Sequence, residues 1–236
     1  MISKTFGRLY GVGVGPGDPE LLTLKALRLL RAAPVVAYQS ADDKESVARS
    51  IVAEYLTGEQ IEVLFHLPRA SNPQDAQPIY DKIVEPVAEH LEAGRDVVVI
   101  CEGDPLFYGS FMYLFTRLSG KYETEVVPGV SSPMGCASAL GIPLSYRNDI
   151  FSVLPATMTA EKLAAQLLNA DAVAIIKLRR HFSKVRDVLN QLGLASRAKY
   201  IEKATMPQQK VIPLNEVDPD NVPYFSMILV PSQVQL

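Results

Sequence analysis

The run from Asp96 to Cys101, "DVVVIC", passes without a break into "EGDP" at Glu102 to Pro105. Four β-branched residues in succession leave the run no polar face. A strand made from them has to be covered on both sides, as in the parallel sheets of α/β proteins. Segments with helical apolar spacing flank it and alternate with further short apolar runs. Strands are expected at Leu9 to Val14, Pro34 to Tyr38 and Ile61 to His66. Helices are expected at Leu21 to Ala32, Lys44 to Leu56, Pro78 to Ala93 and Gly109 to Leu118. Pro86 is the awkward residue of the third helix, because an interior proline removes a hydrogen bond. The alternation predicts a mainly parallel sheet with helices on both faces.

Past a linker at Ser119 to Tyr122 the pattern restarts with the strand and turn "TEVVPG". A helix is expected at Val130 to Leu140, a strand at Phe151 to Leu154, a helix at Ala160 to Leu168, the strand "DAVAIIKL" and a helix at Ser183 to Leu192. Strands at Ala198 to Glu202, Gln209 to Pro213 and Phe225 to Val230 follow with little helix between them, which predicts a mixed sheet with antiparallel members. The expected architecture is therefore two α/β domains, residues 1–120 and 121–236, with a cleft between them.

Composition excludes several classes. With 236 residues and 48% hydrophobic content, a sizeable core is available, and a net charge of −3 argues against a general nucleic-acid binder. No stretch approaches the roughly 20 unbroken apolar residues that span a bilayer, and the opening residues carry no convincing signal-peptide core. A cytoplasmic protein without a membrane partner is expected. Cys101 and Cys136 have no metal-ligand spacing and read as reduced core residues, and His66, His90 and His181 form no metal-binding arrangement.

The segment "RLYGVGVGPGDPELLTLKALRLL", from Arg8 to Leu30, places Gly11, Gly13, Gly15 and Gly17 between a strand and a helix. A dinucleotide fingerprint starting at Gly11 meets Pro16 where its third glycine belongs, and one starting at Gly13 meets Asp18. The Gly-Lys-Ser/Thr ending of a phosphate loop is absent. A tight turn feeding a helix fits better, with Asp18 as cap, Pro19 in the first helical position and Glu20 at the positive helix end. Four glycines exceed the needs of one turn and imply close approach of bulky groups. "CEGDPLFYGS" and "VVPGVSSPMGCASALGIPLS" repeat the plan of strand, glycine turn and helix. Taken singly, each junction also reads as a plain turn, with Asp104 as a helix cap. Three in one chain point to a site at the carboxyl ends of strands.

Together these three segments resemble the tetrapyrrole methylases, which use S-adenosyl-L-methionine and release S-adenosyl-L-homocysteine. Within that superfamily the chain is most similar to the enzymes that methylate C20 of precorrin-2 or cobalt-factor II in cobalamin (vitamin B12) biosynthesis. The resemblance covers essentially the whole chain. It implies cofactor contacts at Gly103, Asp104, Phe107, Tyr108, Ser131 and Ser132, and at the loops holding Lys177, Leu178, Ala204, Thr205 and Met206. It places Gly13, Gly15, Pro16 and Gly17 on the tetrapyrrole side, making room for the macrocycle, and it implies a homodimer. It implies no protein-bound metal, since cobalt, where present, arrives inside the substrate.

Methyl transfer from a sulfonium to an electron-rich carbon needs alignment more than acid–base machinery. Asp104 is the candidate carboxylate for the cationic cofactor or for fixing its loop. Asp18, Glu102 and Tyr10 are the candidates for accepting the displaced proton, although caps and turn contacts explain the two acids equally well. A substrate rich in carboxylates calls for basic residues, and Arg147 and Arg179 are the candidates, Arg180 and Lys177 standing beside the latter. "LPRASNPQDAQPIY", with Arg69, reads as a flap or a passive connector. Rival readings are the same fold acting on another tetrapyrrole position or on a non-tetrapyrrole acceptor, such as a modified histidine or RNA ribose, and a non-catalytic cofactor-binding module. Nothing in the sequence chooses between the metal-free and cobalt substrates.

Overall fold

The near-continuous apolar runs become the centre of an all-parallel sheet. Its strands are β1 (Leu9–Gly13), β2 (Val35–Ser40), β3 (Ile61–His66), β4 (Val97–Cys101) and β5 (Thr124–Val127), in the order β3-β2-β4-β1-β5. The computed structural model describes residues 5–40, 45–66 and 77–233. Every residue of β1 and β4 is buried, as strands covered on both faces require. Helices α1 (Leu24–Ala32) and α2 (Val47–Ile51) cover one face, packing on Tyr10, Val12, Val98 and Ile100. Helices α3 (Gln77–Glu92) and α4 (Phe111–Leu118) cover the other, packing on Leu9, Val97, Val99 and Cys101. Alternation along each strand produces this division.

Two expected helices are interrupted. Pro19–Leu21 forms a 3-10 turn, Leu22 and Thr23 are extended, and Thr23 then caps α1 by accepting from the Ala26 N–H at 3.1 Å. The helix expected over Lys44 to Leu56 is reduced to α2, capped by Ser46, and a 3-10 turn at Ala53–Tyr55. Pro86 is accommodated within a continuous α3. The flap expected from Leu67 to Tyr80 is already helical from Gln77, and Arg69 lies outside the described residues.

The expected boundary at residue 120 precedes a strand that belongs to the first sheet. Strand β5 pairs in parallel with β1, from Leu9 opposite Thr124 to Val12 opposite Val127, so the first unit runs on to Ser131 and the second begins at Ser132. The linker before β5 is real, but it connects α4 to an edge strand.

The second unit is a mixed sheet of β6 (Phe151–Pro155), β7 (Ala172–Ile176), β8 (Lys199–Glu202), β9 (Lys210–Ile212) and β10 (Ser226–Val230), in the order β6-β7-β10-β8-β9. β6 and β7 are parallel, and β10 runs antiparallel to both β7 and β8. The carboxyl ends of β6, β7 and β8 therefore lie at one end of the sheet. Helices α6 (Ala160–Leu168) and α7 (Phe182–Gln191) pack on one face, where Leu163, Phe182, Leu189 and Tyr200 form the core, and α5 (Ser132–Leu140) packs on the other.

Candidate functional site

Strands β1 and β4 are neighbours, yet the chain leaves β1 toward the face of α1 and leaves β4 toward the face of α4. Such a divergence opens a crevice at the carboxyl ends of the strands, the usual place for a ligand in an open α/β sheet. The loops that follow β1, β4 and β5 meet there. Gly103 N–H donates to the Gly15 carbonyl at 2.7 Å, and Gly15 N–H donates back to Gly103 at 3.3 Å. A methyl group on Gly129 would stand 2.1 Å from the Gly103 oxygen, and one on Gly13 would stand 2.5 Å from the same atom. Gly15 and Gly103 have φ of 78° and 65°, the left-handed region open to glycine.

The opening glycines thus have a local explanation. Gly11 admits the Phe111 ring, Gly13 admits the Gly103 and Gly129 backbones, and Gly13, Gly15, Pro16 and Gly17 are all buried. The room expected for a macrocycle is, at Gly11 and Gly13, taken by the protein itself. Asp104 fixes the same junction. One carboxylate oxygen accepts from the Leu106 N–H at 2.9 Å and the other from the Gly129 N–H at 3.2 Å, so the loops after β4 and β5 are tied through one side chain. Leu106, Phe107 and Tyr108 follow as an exposed apolar apron, with Tyr108 at φ 56°.

The three candidates for proton transfer separate clearly. Tyr10 is packed in the core between the sheet and α1, because its place in β1 turns it inward, and this removes it from any surface site. Asp18 caps the 3-10 turn, accepting from the Glu20 N–H at 2.9 Å. Glu102 stays partly exposed at the end of β4 and accepts from Gln39 Nε2 at 3.1 Å and from the Ala48 N–H at 3.3 Å. Burial pushes its carboxyl pKa up, and hydrogen bonds from its own backbone N–H, from Gln39 and from Ala48 pull it only part of the way back. Gln39 stands next to last in β2 and was not singled out from the sequence. The available signal was the polar pair Gln39 and Ser40 closing an otherwise apolar parallel strand. Its Oε1 is buried and has no hydrogen-bond partner among the described residues.

In the second unit the strand ends carry another signature. Lys177 and Arg179, after β7, have φ of 61° and 29°, and Lys203 and Thr205, after β8, have φ of 46° and 66°. L residues with side chains seldom adopt this region, and such outliers gather at ligand sites. The Lys203 N–H donates to the Phe225 carbonyl at 2.7 Å and the Thr205 N–H to Gln209 Oε1 at 2.7 Å, which hold the loop in place. Leu178 and Ala204 are buried, Leu178 within the core, so their side chains serve packing and only their backbone is offered to a ligand. Met206 is half-buried, while Arg147, at φ 37°, Lys177 and Arg179 are exposed. Ser132 opens α5, and Ser131 immediately precedes it. Among the described residues no helix is long and apolar enough to cross a membrane, and no group of three or more His, Cys, Asp or Glu side chains is placed to hold a metal ion.

The chain is similar to known proteins along nearly its whole length. Over 233 residues the chain is 42% identical to "Cobalamin biosynthesis protein CobIJ" of Mycobacterium tuberculosis, covering 95% of this chain and 46% of that protein. The chain thus spans about half the length of CobIJ. It is 40% identical over 233 residues to "Precorrin-2 C(20)-methyltransferase" of Sinorhizobium sp, covering 95% of each. Among solved structures, a cobalt precorrin-4 methyltransferase superposes with a TM-score of 0.71 at 25% identity, covering 95% of this chain and 94% of that one. The family model for "Tetrapyrrole (Corrin/Porphyrin) Methylases" matches residues 8–218, from the start of the glycine-rich strand to beyond β9, and the chain belongs to that family.

Proposed function

We propose that the chain is an S-adenosyl-L-methionine-dependent C-methyltransferase that methylates C20 of precorrin-2 or cobalt-factor II in cobalamin biosynthesis. The observation that carries this reading is the 40% identity with the Sinorhizobium precorrin-2 C(20)-methyltransferase along 95% of both chains. The residues present suit a cationic cofactor with apolar parts. Leu106, Phe107 and Tyr108 offer exposed apolar surface beside a backbone fixed by Asp104, and the left-handed turns at Lys177, Lys203 and Thr205 hold fixed loops at the strand ends of the second unit.

S-adenosyl-L-methionine supplies an electrophilic methyl group. Gly103, Phe107, Tyr108, Ser131 and Ser132, with the backbone of the loops at Lys177 to Leu178 and Ala204 to Met206, are assigned to holding it. Asp104 is assigned to shaping the loop, since both its oxygens already accept backbone N–H groups. Arg147 and Arg179 are exposed cations suited to the carboxylates of a tetrapyrrole, and the loop at Gly15 to Gly17 is assigned to its macrocycle side. Alignment of donor and acceptor carbon is the main catalytic contribution asked of these residues.

The test is anaerobic incubation of the purified protein with S-adenosyl-L-methionine and, separately, precorrin-2 and cobalt-factor II, followed by mass and NMR mapping of the added methyl. Methylation at C20 supports the assignment, and the preferred substrate names the route. Cofactor binding without methylation of either sinks the C20 assignment. A homodimer is part of the same proposal, checked by the mass of the protein in solution.

A further inference from the structure

Glu102 is a partly exposed residue with a desolvated carboxyl at the carboxyl end of the central strand β4, where the chain diverges to opposite faces of the sheet. It continues the row of Val98 and Ile100, so it lies toward α1 and α2, and the start of α2 donates to it through the Ala48 N–H. Its other donor is the Gln39 amide at 3.1 Å. Both donors are neutral. A carboxylate held by an arginine or lysine loses basicity, whereas one held by amides in a desolvated place keeps a high proton affinity. Gln39 itself leaves Oε1 buried without a partner among the described residues, which costs stability. A polar residue kept at such a cost suggests a role in aiming Glu102.

The titratable groups around Glu102 on the described elements are committed elsewhere. Asp104 is turned to Leu106 and Gly129, and Asp18 caps its own turn. Arg49 on α2 makes two 2.9 Å bonds to Glu62 on β3, to which Tyr38 on β2 also donates, and Lys25 on α1 pairs with Glu125. Cys101, beside Glu102 on β4, packs against the α3 and α4 side, and burial pushes its thiol up to about 12.

We propose that Glu102 accepts the proton that leaves the methylated carbon and that Gln39 is its positioning residue, an inference that rests on the functional reading above. When the macrocycle carbon takes the methyl group, its new carbon–carbon bond forms as the methyl–sulfur bond breaks, and the sulfonium becomes a neutral thioether. The carbon's own C–H bond then breaks. Its electron pair returns to the conjugated macrocycle, and the proton passes to a carboxylate oxygen of Glu102.

The experiment compares wild type with Glu102→Gln, using S-adenosyl-L-methionine and precorrin-2 or cobalt-factor II carrying hydrogen or deuterium at C20. The variant is expected to lose about 100-fold or more in kcat, the usual scale for a general base, with KM for the cofactor unchanged. The acid limb of the pH–kcat profile should disappear, and an isotope effect absent from wild type should emerge. A readout without turnover accompanies this. In the apoprotein with 13C-labelled glutamate, the resonance missing from Glu102→Gln should titrate above the ordinary carboxylate range, and Gln39→Met should displace both that titration and the acid limb without abolishing either. The proposal is overturned if Glu102→Gln keeps the wild-type kcat and acid limb, if its loss only tracks cofactor binding, or if the resonance titrates in the ordinary range. A wild type that methylates neither tetrapyrrole overturns the functional reading itself, and this proposal with it.

Discussion

The strand ends of the two units solve a similar problem with opposite residues. In the first unit the left-handed positions nearest the ends of β1 and β4 are glycines, Gly15 and Gly103, with Tyr108 further along the loop after β4, and the backbones around the two glycines nearly touch. In the second unit the left-handed positions after β7 and β8 are Lys177, Arg179, Lys203 and Thr205, each with a side chain that strains its backbone. Glycine stands where three loops converge and no Cβ fits. Side chains are kept at a conformational cost in the loops of the second unit, which is expected when those side chains or the fixed shape of their loops have work to do. The first unit's junction is therefore a packing device that carries a site, and the second unit's loops are a set of strained backbones held ready.

The comparison breaks most easily at Gly129. A Cβ there meets the Gly103 carbonyl oxygen at 2.1 Å and Gly13 backbone at 2.8 Å, and backbone cannot step aside as a side-chain tip can. Gly129→Ala is expected to destabilise the first unit by about 3 kcal/mol or more, the upper end of overpacking costs. Gly120→Ala, whose Cβ meets nothing within 4 Å, is the control and should unfold at the wild-type denaturant midpoint. Equal midpoints for the two variants would refute the packing account of the junction. Next in size is Asp104→Ala, which leaves the Leu106 and Gly129 N–H groups without their acceptor. A loss of about 1–3 kcal/mol in chemical denaturation is expected, with Asp104→Asn recovering part of it, because an amide oxygen can still accept one of the two bonds.

Much of this was legible in the sequence, and the misses have physical causes. The parallel sheet follows from Val97 to Ile100, and apolar runs alone place nine of the ten strands among the described residues in the right unit. The exception, β5, was assigned by its position after the Ser119 to Tyr122 linker, since four residues cannot announce which sheet they will join and only the pairing with Leu9 to Val12 does. The three junctions were legible because glycine and proline mark turns. What the glycines admit was not, because Gly13 meets Gly129 across a long stretch of sequence. Tyr10 looked available from its neighbours, and strand alternation turned it into the core. The strained residues Lys177, Lys203 and Thr205 carry no sequence mark, since left-handed backbone is advertised by glycine or asparagine and by little else.

A smaller and opposite effect is expected at Lys203. The left-handed region costs a residue with a Cβ about 1–2 kcal/mol, and glycine returns part of the gain through its greater freedom in the unfolded chain. Lys203→Gly should therefore stabilise the second unit by up to about 1 kcal/mol. If the strained loops exist to hold a ligand, the same variant should weaken S-adenosyl-L-methionine binding measured by calorimetry. Stabilisation with unchanged binding would make the strain a local accident and remove the contrast between the two units.

The last effect belongs to Glu102, and its sign is diagnostic. Burial lets the folded protein hold the Glu102 proton to a higher pH than the unfolded chain does. Between the ordinary carboxyl range and the raised folded value, the folded state therefore binds more protons than the unfolded one, and stability falls as pH rises. Below that window Glu102 is protonated in both states and contributes no slope. Above it the loss is complete. Relative to Glu102→Gln, which has nothing to ionise, wild type should lose stability through this window with a slope no steeper than about 1.4 kcal/mol per pH unit, the limit for one proton. The opposite slope would mean that the Gln39 and Ala48 donors outweigh burial and that Glu102 is an ordinary stabilising carboxylate. The expected slope would identify a charge that the first unit carries at a cost to its own stability, at the strand end where the proposal places a proton acceptor.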